Sequence, residues 1–277
     1  MVKNKPTLPL IDYSPIQWIL VCFFLLSYIV LSPHAPQAAN KKENAIIRIA
    51  VATNFMPAAR EIAPLFHQET GHHIRFSFGA TGQLYSQIAN GAPFDIFMAA
   101  DQTRPELAVK NSFAVAESQQ TYARGRLVLW IKGSDQPTTL KSLRADTIQK
   151  IALANPRTAP YGMAARQVLQ KSGLWHGGQH KFVFGTNIAQ TFQFIHTGNA
   201  QAGFIALSQV MGRSDIQYIS VPDDLYNPIL QDMVLLKRAK DNQAAKAFMA
   251  FMKSNAALAV LKKYGYLPTK KTQAPTP

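Results

Sequence analysis

From Ile46 onward, short apolar runs alternate with segments of helical period, and that alternation confines the chain to layered α/β architectures built largely on parallel strands. The runs Ile46–Ala52, Ile74–Phe78, Asp95–Ala99, Leu127–Ile131, Ile151–Ala154, Phe182–Phe184, Gly203–Leu207, Tyr218–Val221 and Met233–Leu236 read as strands. Between them, Ala58–Gln68 places Ala59, Ile62 and Phe66 on one helical face, and Gln83–Asn90 is stopped by Gly91. Extended crossings are expected at Thr121–Arg126 and Asp223–Gln231. They divide the chain into one lobe of residues 40–123 and 228–268 and a second of 124–227, with the ligand cleft at the carboxyl ends of the strands.

Three strand-to-helix junctions carry small donor-bearing residues: Thr53-Asn54, Gly79-Ala80-Thr81-Gly82 and Asn187-Ile188. Helix starts leave backbone N–H groups unpaired and partially positive, so several that converge make an anion site. Ordinary helix capping is the competing explanation for Thr53-Asn54 and for Asn187. The Gly79–Gly82 stretch lacks the Gly-Lys-Ser/Thr sequence of a nucleotide phosphate loop.

Ahead of this region lie Lys3 and Lys5, the apolar run Trp18–Leu31 and the small residues Ala35–Ala39. That order describes a secretory signal peptide over residues 1–39, with cleavage near Ala38 or Ala39 and delivery to the periplasm. An uncleaved anchor is the alternative, because no clean A-x-A triplet is present. Cys22, the only cysteine, would leave with the signal, so the mature protein would have neither disulfide nor thiolate metal site. Cleavage removes two lysines and Asp12, taking the formal charge from +14 to +13. Such a balance raises encounter rates with anions, although a solvated basic surface without a dedicated partner would look the same. The interleaving of aromatic and basic residues typical of nucleic-acid binders is missing, and residues 269–277 read as a disordered tail.

Longer phrases are similar to the periplasmic molybdate-binding proteins of ABC transporters. They are VATNFMPAAREIAPLF at Val51–Phe66, GATGQLYSQIANGAPFDIFMAADQ at Gly79–Gln102, ALANPRTAPYGMAARQVLQKSG at Ala152–Gly173 and NIAQTFQFIHTGNAQAGFIALSQ at Asn187–Gln209. The resemblance implies a two-lobed type II periplasmic binding fold. It also implies a molybdate or tungstate oxyanion held by Thr53, Asn54, Thr81, Tyr161 and Ile188, with molybdenum entering the protein only as that oxyanion. One branch of the family has a binding tyrosine where this chain has Ala206; the Thr-Asn pair and Tyr161 resemble the other branch. No cofactor is implied. The implied partner is an inner-membrane permease with its ATPase, served by a monomeric receptor.

A proton-free tetrahedral dianion needs donors only, and Thr53, Thr81, the Asn54 amide and the backbone N–H groups of Tyr161 and Ile188 supply them. Hydrogen phosphate would call for an acceptor as well, whereas sulfate differs from molybdate only in size. Sulfate or another tetrahedral oxyanion is therefore the alternative ligand.

An exported enzyme acting on an anionic substrate is a more distant reading. Asp95 and Asp101 bracket a strand and would stand roughly 20 Å apart at about 3.3 Å per residue, too far for acid/base work as a pair. There is no G-x-S-x-G elbow. The histidines His67, His72, His73, His176 and His180 do not form a metal-ligand pattern. A sensor domain of a regulator shares the fold, but a signal peptide and the lack of a preceding helix-turn-helix argue against it.

Overall fold

The structure, a computed structural model, describes residues 45–133 and 139–267. The expected signal peptide and C-terminal tail lie outside the described residues. In chain order the elements are β1 (Ile46–Ala52), α1 (Met56–Thr70), β2 (His73–Gly79), α2 (Thr81–Ala89), β3 (Ile96–Met98), α3 (Thr103–Lys110), β4 (Gln120–Gly125) and β5 (Leu127–Ile131). They continue with β6 (Ile151–Ala154), α4 (Pro160–Lys171), α5 (Trp175–Gly178), β7 (Phe182–Gly185), α6 (Ile188–His196), β8 (Ala202–Ala206), β9 (Tyr218–Ser220), β10 (Ile229–Leu235), α7 (Gln243–Phe251) and α8 (Asn255–Lys263).

The strands form two five-stranded sheets, ordered β2-β1-β3-β10-β4 and β7-β6-β8-β5-β9. The central strand β1 shows why its sequence is nearly all apolar. Ile47, Ile49 and Val51 pack into one core with Ile62 and Phe66 of α1, while Ala50 faces a second core with Leu84 and Ile88 of α2. Full burial of side chains such as Phe66 stabilises the fold by about 1.5–3 kcal/mol each. The helix α1 stops where Gly71 takes a φ of 76°, a left-handed conformation open to glycine at no steric cost.

Both sheets are mixed. Strands β1, β2 and β3 pair in parallel, as do β7, β6 and β8, but β10 runs antiparallel to β3 and β4, and β5 antiparallel to β8 and β9. The parallel strands end at the junction between the sheets. A strand that arrives through that junction, as β5 and β10 do, must run the other way.

The crossing expected at Thr121–Arg126 is almost entirely the ladder strand β4, and the one expected at Asp223–Gln231 ends in the first residues of β10. Only Arg126 separates β4 from β5, and β4 pairs with the returning β10 through Ile229↔Gly125, Leu230↔Arg124 and Gln231↔Ala123 before a register shift at Gln231/Asp232. The chain thus passes between the sheets as a two-stranded ribbon. Local sequence disguises this because β4, QTYARG, lacks apolar alternation.

Candidate functional site

Four strand ends feed four helix starts around one small cavity. β1 runs through the 3-10 turn Thr53–Phe55 into α1, and β2 passes by Ala80 into α2. β6 reaches α4 through residues 155–159, and β7 reaches α6 through Thr186 and Asn187. Thr53, Asn54, Thr81, Tyr161 and Ile188 all line the cavity, together with small residues that include Gly79, Ala80 and Ala100. Its volume is about 10 Å³, far below the roughly 300–1,000 Å³ of sites for organic ligands. An oxyanion is different: each oxygen is about the size of a water molecule, so the cavity need admit only four such centres at tetrahedral corners.

Counting backbone donors at each helix start shows what remains for a guest. At α6 the Asn187 side-chain oxygen accepts from Ala189 and Gln190 N–H, both at 3.0 Å, which leaves Ile188 N–H open. Gln209 holds this helix start in place, donating to Ile188 C=O at 3.1 Å while accepting from Ala206 N–H at 2.9 Å. At α4, Pro160 has no N–H and Gly162 N–H turns back to Ala159 C=O at 2.9 Å, leaving Tyr161 N–H. At α2, Gly82 N–H donates across to Thr158 C=O at 2.9 Å, leaving Thr81 N–H. The Thr81 hydroxyl accepts from Ala100 N–H at 3.0 Å, so its own proton is available as a donor. Among the described residues, the Thr53 hydroxyl and the backbone N–H groups of Thr53 and Asn54 have no hydrogen-bond partner.

The Asn54 amide, expected from sequence as a ligand donor, is committed elsewhere. Its Nδ2 donates to Gln231 Oε1 at 3.0 Å and to Tyr266 Oη at 3.2 Å, which uses both hydrogens. The Asn54 carbonyl in turn accepts from Ser208 Oγ at 2.8 Å and Tyr266 Oη at 3.0 Å. The Tyr161 hydroxyl likewise accepts from Gln231 Nε2 at 3.1 Å. Both residues therefore offer the cavity their backbone N–H groups while their side chains build a buried network beneath it. Burial pushes the hydroxyls of Tyr122, Tyr161 and Tyr266 well above their ordinary value, so all three stay neutral and none brings a negative charge near the cavity.

No ionisable side chain apart from Tyr161 lines the cavity among the described residues. Asp101 lies in a neighbouring depression and pairs with Arg104 at 2.6 Å; burial raises its carboxyl pKa against the opposing pull of that arginine. Asp95 instead accepts from Arg48 N–H at 2.7 Å. His67 and His73 stack with ring centroids 4.2 Å apart, and His67 Nδ1 lies 3.2 Å from His72 C=O. Ala206 is fully buried at the end of β8 and does not line the cavity. Sequence reading passed over Gln231, Tyr122, Tyr266 and Ser208; the polar pair Gln231-Asp232 inside the apolar run of β10 was the signal that could have found the first.

Residues 47–267 match the family of bacterial extracellular solute-binding proteins. The chain is 46% identical over 250 residues to the molybdate-binding protein ModA of Azotobacter vinelandii, covering 88% of this chain and 98% of that protein. It is 44% identical over 218 residues to the molybdate-binding protein ModA of Rhodobacter capsulatus, covering 79% and 86% respectively. Among solved structures, the Azotobacter vinelandii periplasmic molybdate-binding protein superimposes with a TM-score of 0.77 at 34% identity, covering 81% of this chain and all of that one. With this fold, this run of matching sequence and these relatives, the chain belongs to the bacterial extracellular solute-binding protein family, among its ModA members.

Proposed function

We propose that the chain is the capture component of an ABC importer and holds one molybdate dianion, or the similar tungstate, in the cavity between the two sheets. The observation that carries this reading is the convergence of four helix starts, each with an open N–H, on a small space without charged side chains. Thr53 and Thr81 add hydroxyl donors. Each hydrogen bond to a charged acceptor contributes about 1.5–3 kcal/mol, enough in sum to offset the ordering cost of association. The ModA relatives are named for the same ligand.

In this reading residues 40–123 with 228–268 and residues 124–227 move as two lobes about the β4/β10 ribbon. The contacts from Gly82 N–H to Thr158 C=O and from Arg104 Nη2 to Arg157 C=O at 3.0 Å join elements of the two sheets and belong to the closed state. Export to the periplasm, action as a monomer and delivery to an inner-membrane permease complete the proposal.

Calorimetric titration of the purified chain with sodium molybdate, tungstate, sulfate and phosphate tests it. Molybdate and tungstate should bind and displace sulfate; tighter binding of sulfate, or no binding of molybdate, would overturn the assignment. The affinity should also be flat from about pH 6 to about pH 9, because the ligand stays a dianion and, among the described residues, the ionisable side chains that line the cavity or build the network beneath it are tyrosines whose pKa values are raised. A steep pH dependence in that window would show that an ionising side chain takes part.

A further inference from the structure

Resting on the oxyanion reading above, we propose that Gln231 is a positioning residue: from the hinge ribbon it orients Asn54 of one sheet's layer and Tyr161 of the other, and so fixes the spacing of the donors that face the ligand. Gln231 is completely buried at the register shift of β10. Its amide oxygen accepts from Asn54 Nδ2 and lies 3.0 Å from the Tyr122 hydroxyl, while its amide nitrogen donates to the Tyr161 hydroxyl. A neutral amide presents an accepting oxygen and a donating nitrogen side by side, which suits it to join the Asn54 amide to the Tyr161 hydroxyl. Gly125 of β4, opposite Ile229 of β10, leaves the space this requires: a Cβ there would lie 2.1 Å from Tyr161 Oη and 2.5 Å from Gln231 Nε2. Phe55 packs its ring against Tyr122 and Tyr266, with centroids at 5.1 and 5.4 Å, bracing the turn that carries Thr53 and Asn54.

Cradle and hinge are thus one hydrogen-bonded unit, and a change at Gln231 should be felt by the ligand without touching it. Gln231→Glu keeps the shape but sets an ionisable group behind a cavity built for a dianion. The ligand favours the protonated form of that carboxyl, so its pKa is higher in the complex than in the free protein, and affinity falls as pH rises between the two values. Other titratable and charged groups surround this side chain, and Asp101, whose carboxyl pKa is raised by burial, is paired with Arg104. Tyr122 on β4, Tyr161 on α4 and Tyr266 beyond α8 are held neutral by burial. On β10 itself Asp232 is engaged by Gln102 and Gln119, and on β4 Arg124 pairs with Asp223.

The test is calorimetric titration with sodium molybdate at several pH values from about 6 to about 8. The unsubstituted chain should show a constant affinity. Gln231→Glu should weaken with rising pH, approaching tenfold per unit where one proton is linked to binding. A second arm covers the case in which that variant does not fold. Tyr161→Phe, which keeps the backbone N–H, should weaken binding about threefold to tenfold alone, yet add nothing in a Gln231→Leu background. A pH-independent Gln231→Glu with unchanged affinity, or additive effects of the Tyr161 and Gln231 substitutions, would overturn the positioning role. Failure of the unsubstituted chain to bind molybdate would instead sink the functional reading.

Discussion

Thr81→Asp is expected to weaken molybdate binding about a thousandfold at pH 7, a loss that shrinks about tenfold for each unit the pH is lowered toward 4. Thr81 is 1% exposed, with its hydroxyl held between Ala100 N–H and the cavity. A carboxylate there would face a dianion at about 5 Å, a repulsion of roughly 7 kcal/mol at an effective dielectric of about 20. Protonation caps the cost, since neutralising an ordinary aspartate at pH 7 takes about 4 kcal/mol.

The sign follows from linkage. The carboxyl pKa is higher in the complex than in the free protein, so affinity recovers as pH falls. Thr81→Ala supplies the scale for an uncharged change. It loses one charge-assisted donor and strands Ala100 N–H, about 1.5–3 kcal/mol or at least tenfold in affinity at every pH. Calorimetry on both variants separates charge from hydrogen bonding. Equal losses with no pH dependence would mean that residue 81 does not face an anion.

The second large effect is on the fold. Gly162 sits in the first turn of α4, where alanine would ordinarily favour the helix by about 1 kcal/mol. Here a Cβ would lie 2.1 Å from Ala154 C=O oxygen and 2.7 Å from its carbon, both backbone atoms at the end of β6. Overpacking against groups that cannot swing away costs about 3 kcal/mol or more. The clash wins, and Gly162→Ala should destabilise the protein by at least about 2 kcal/mol, a fall in Tm of about 4–8 °C for a chain of this size. Moving α4 off β6 also moves Tyr161 N–H, so binding should weaken along with stability. Thermal unfolding with and without molybdate reads both effects, and an unchanged or raised Tm would refute the close approach.

Much of the architecture was legible because buried interior strands leave a dense apolar signature: β1, β5 and β6 fall at the residues expected, since each is covered on both faces. The ribbon was not legible. β4 carries Gln120, Thr121 and Arg124 because it is an edge strand, and the apolar run of β10 begins only at Met233 because Gln231 and Asp232 interrupt it. Those two polar residues are buried for the hydrogen bonds they make across 70 to 177 positions, as from Gln231 to Tyr161 and Asn54, and no local pattern reports such distant partners.

The cavity followed the same division. Thr53, Asn54, Thr81 and Ile188 sit at helix starts that a sequence announces, and family likeness added Tyr161; all five line one cavity. What each atom does was hidden. An asparagine beside an anion pocket suggests a donating amide, yet only the placement of Tyr266 and Gln231 shows that both hydrogens are taken and that the backbone faces inward.

Anomalous diffraction at the molybdenum edge from crystals of the chain grown with molybdate tests the central claim most directly. A single peak is predicted in the cavity between Thr53, Thr81, Tyr161 and Ile188, its oxygens within hydrogen-bonding distance of their N–H and O–H groups and no charged side chain among its nearest neighbours. A peak elsewhere, or one held by an aspartate or a lysine, would contradict a neutral cradle made from converging helix starts.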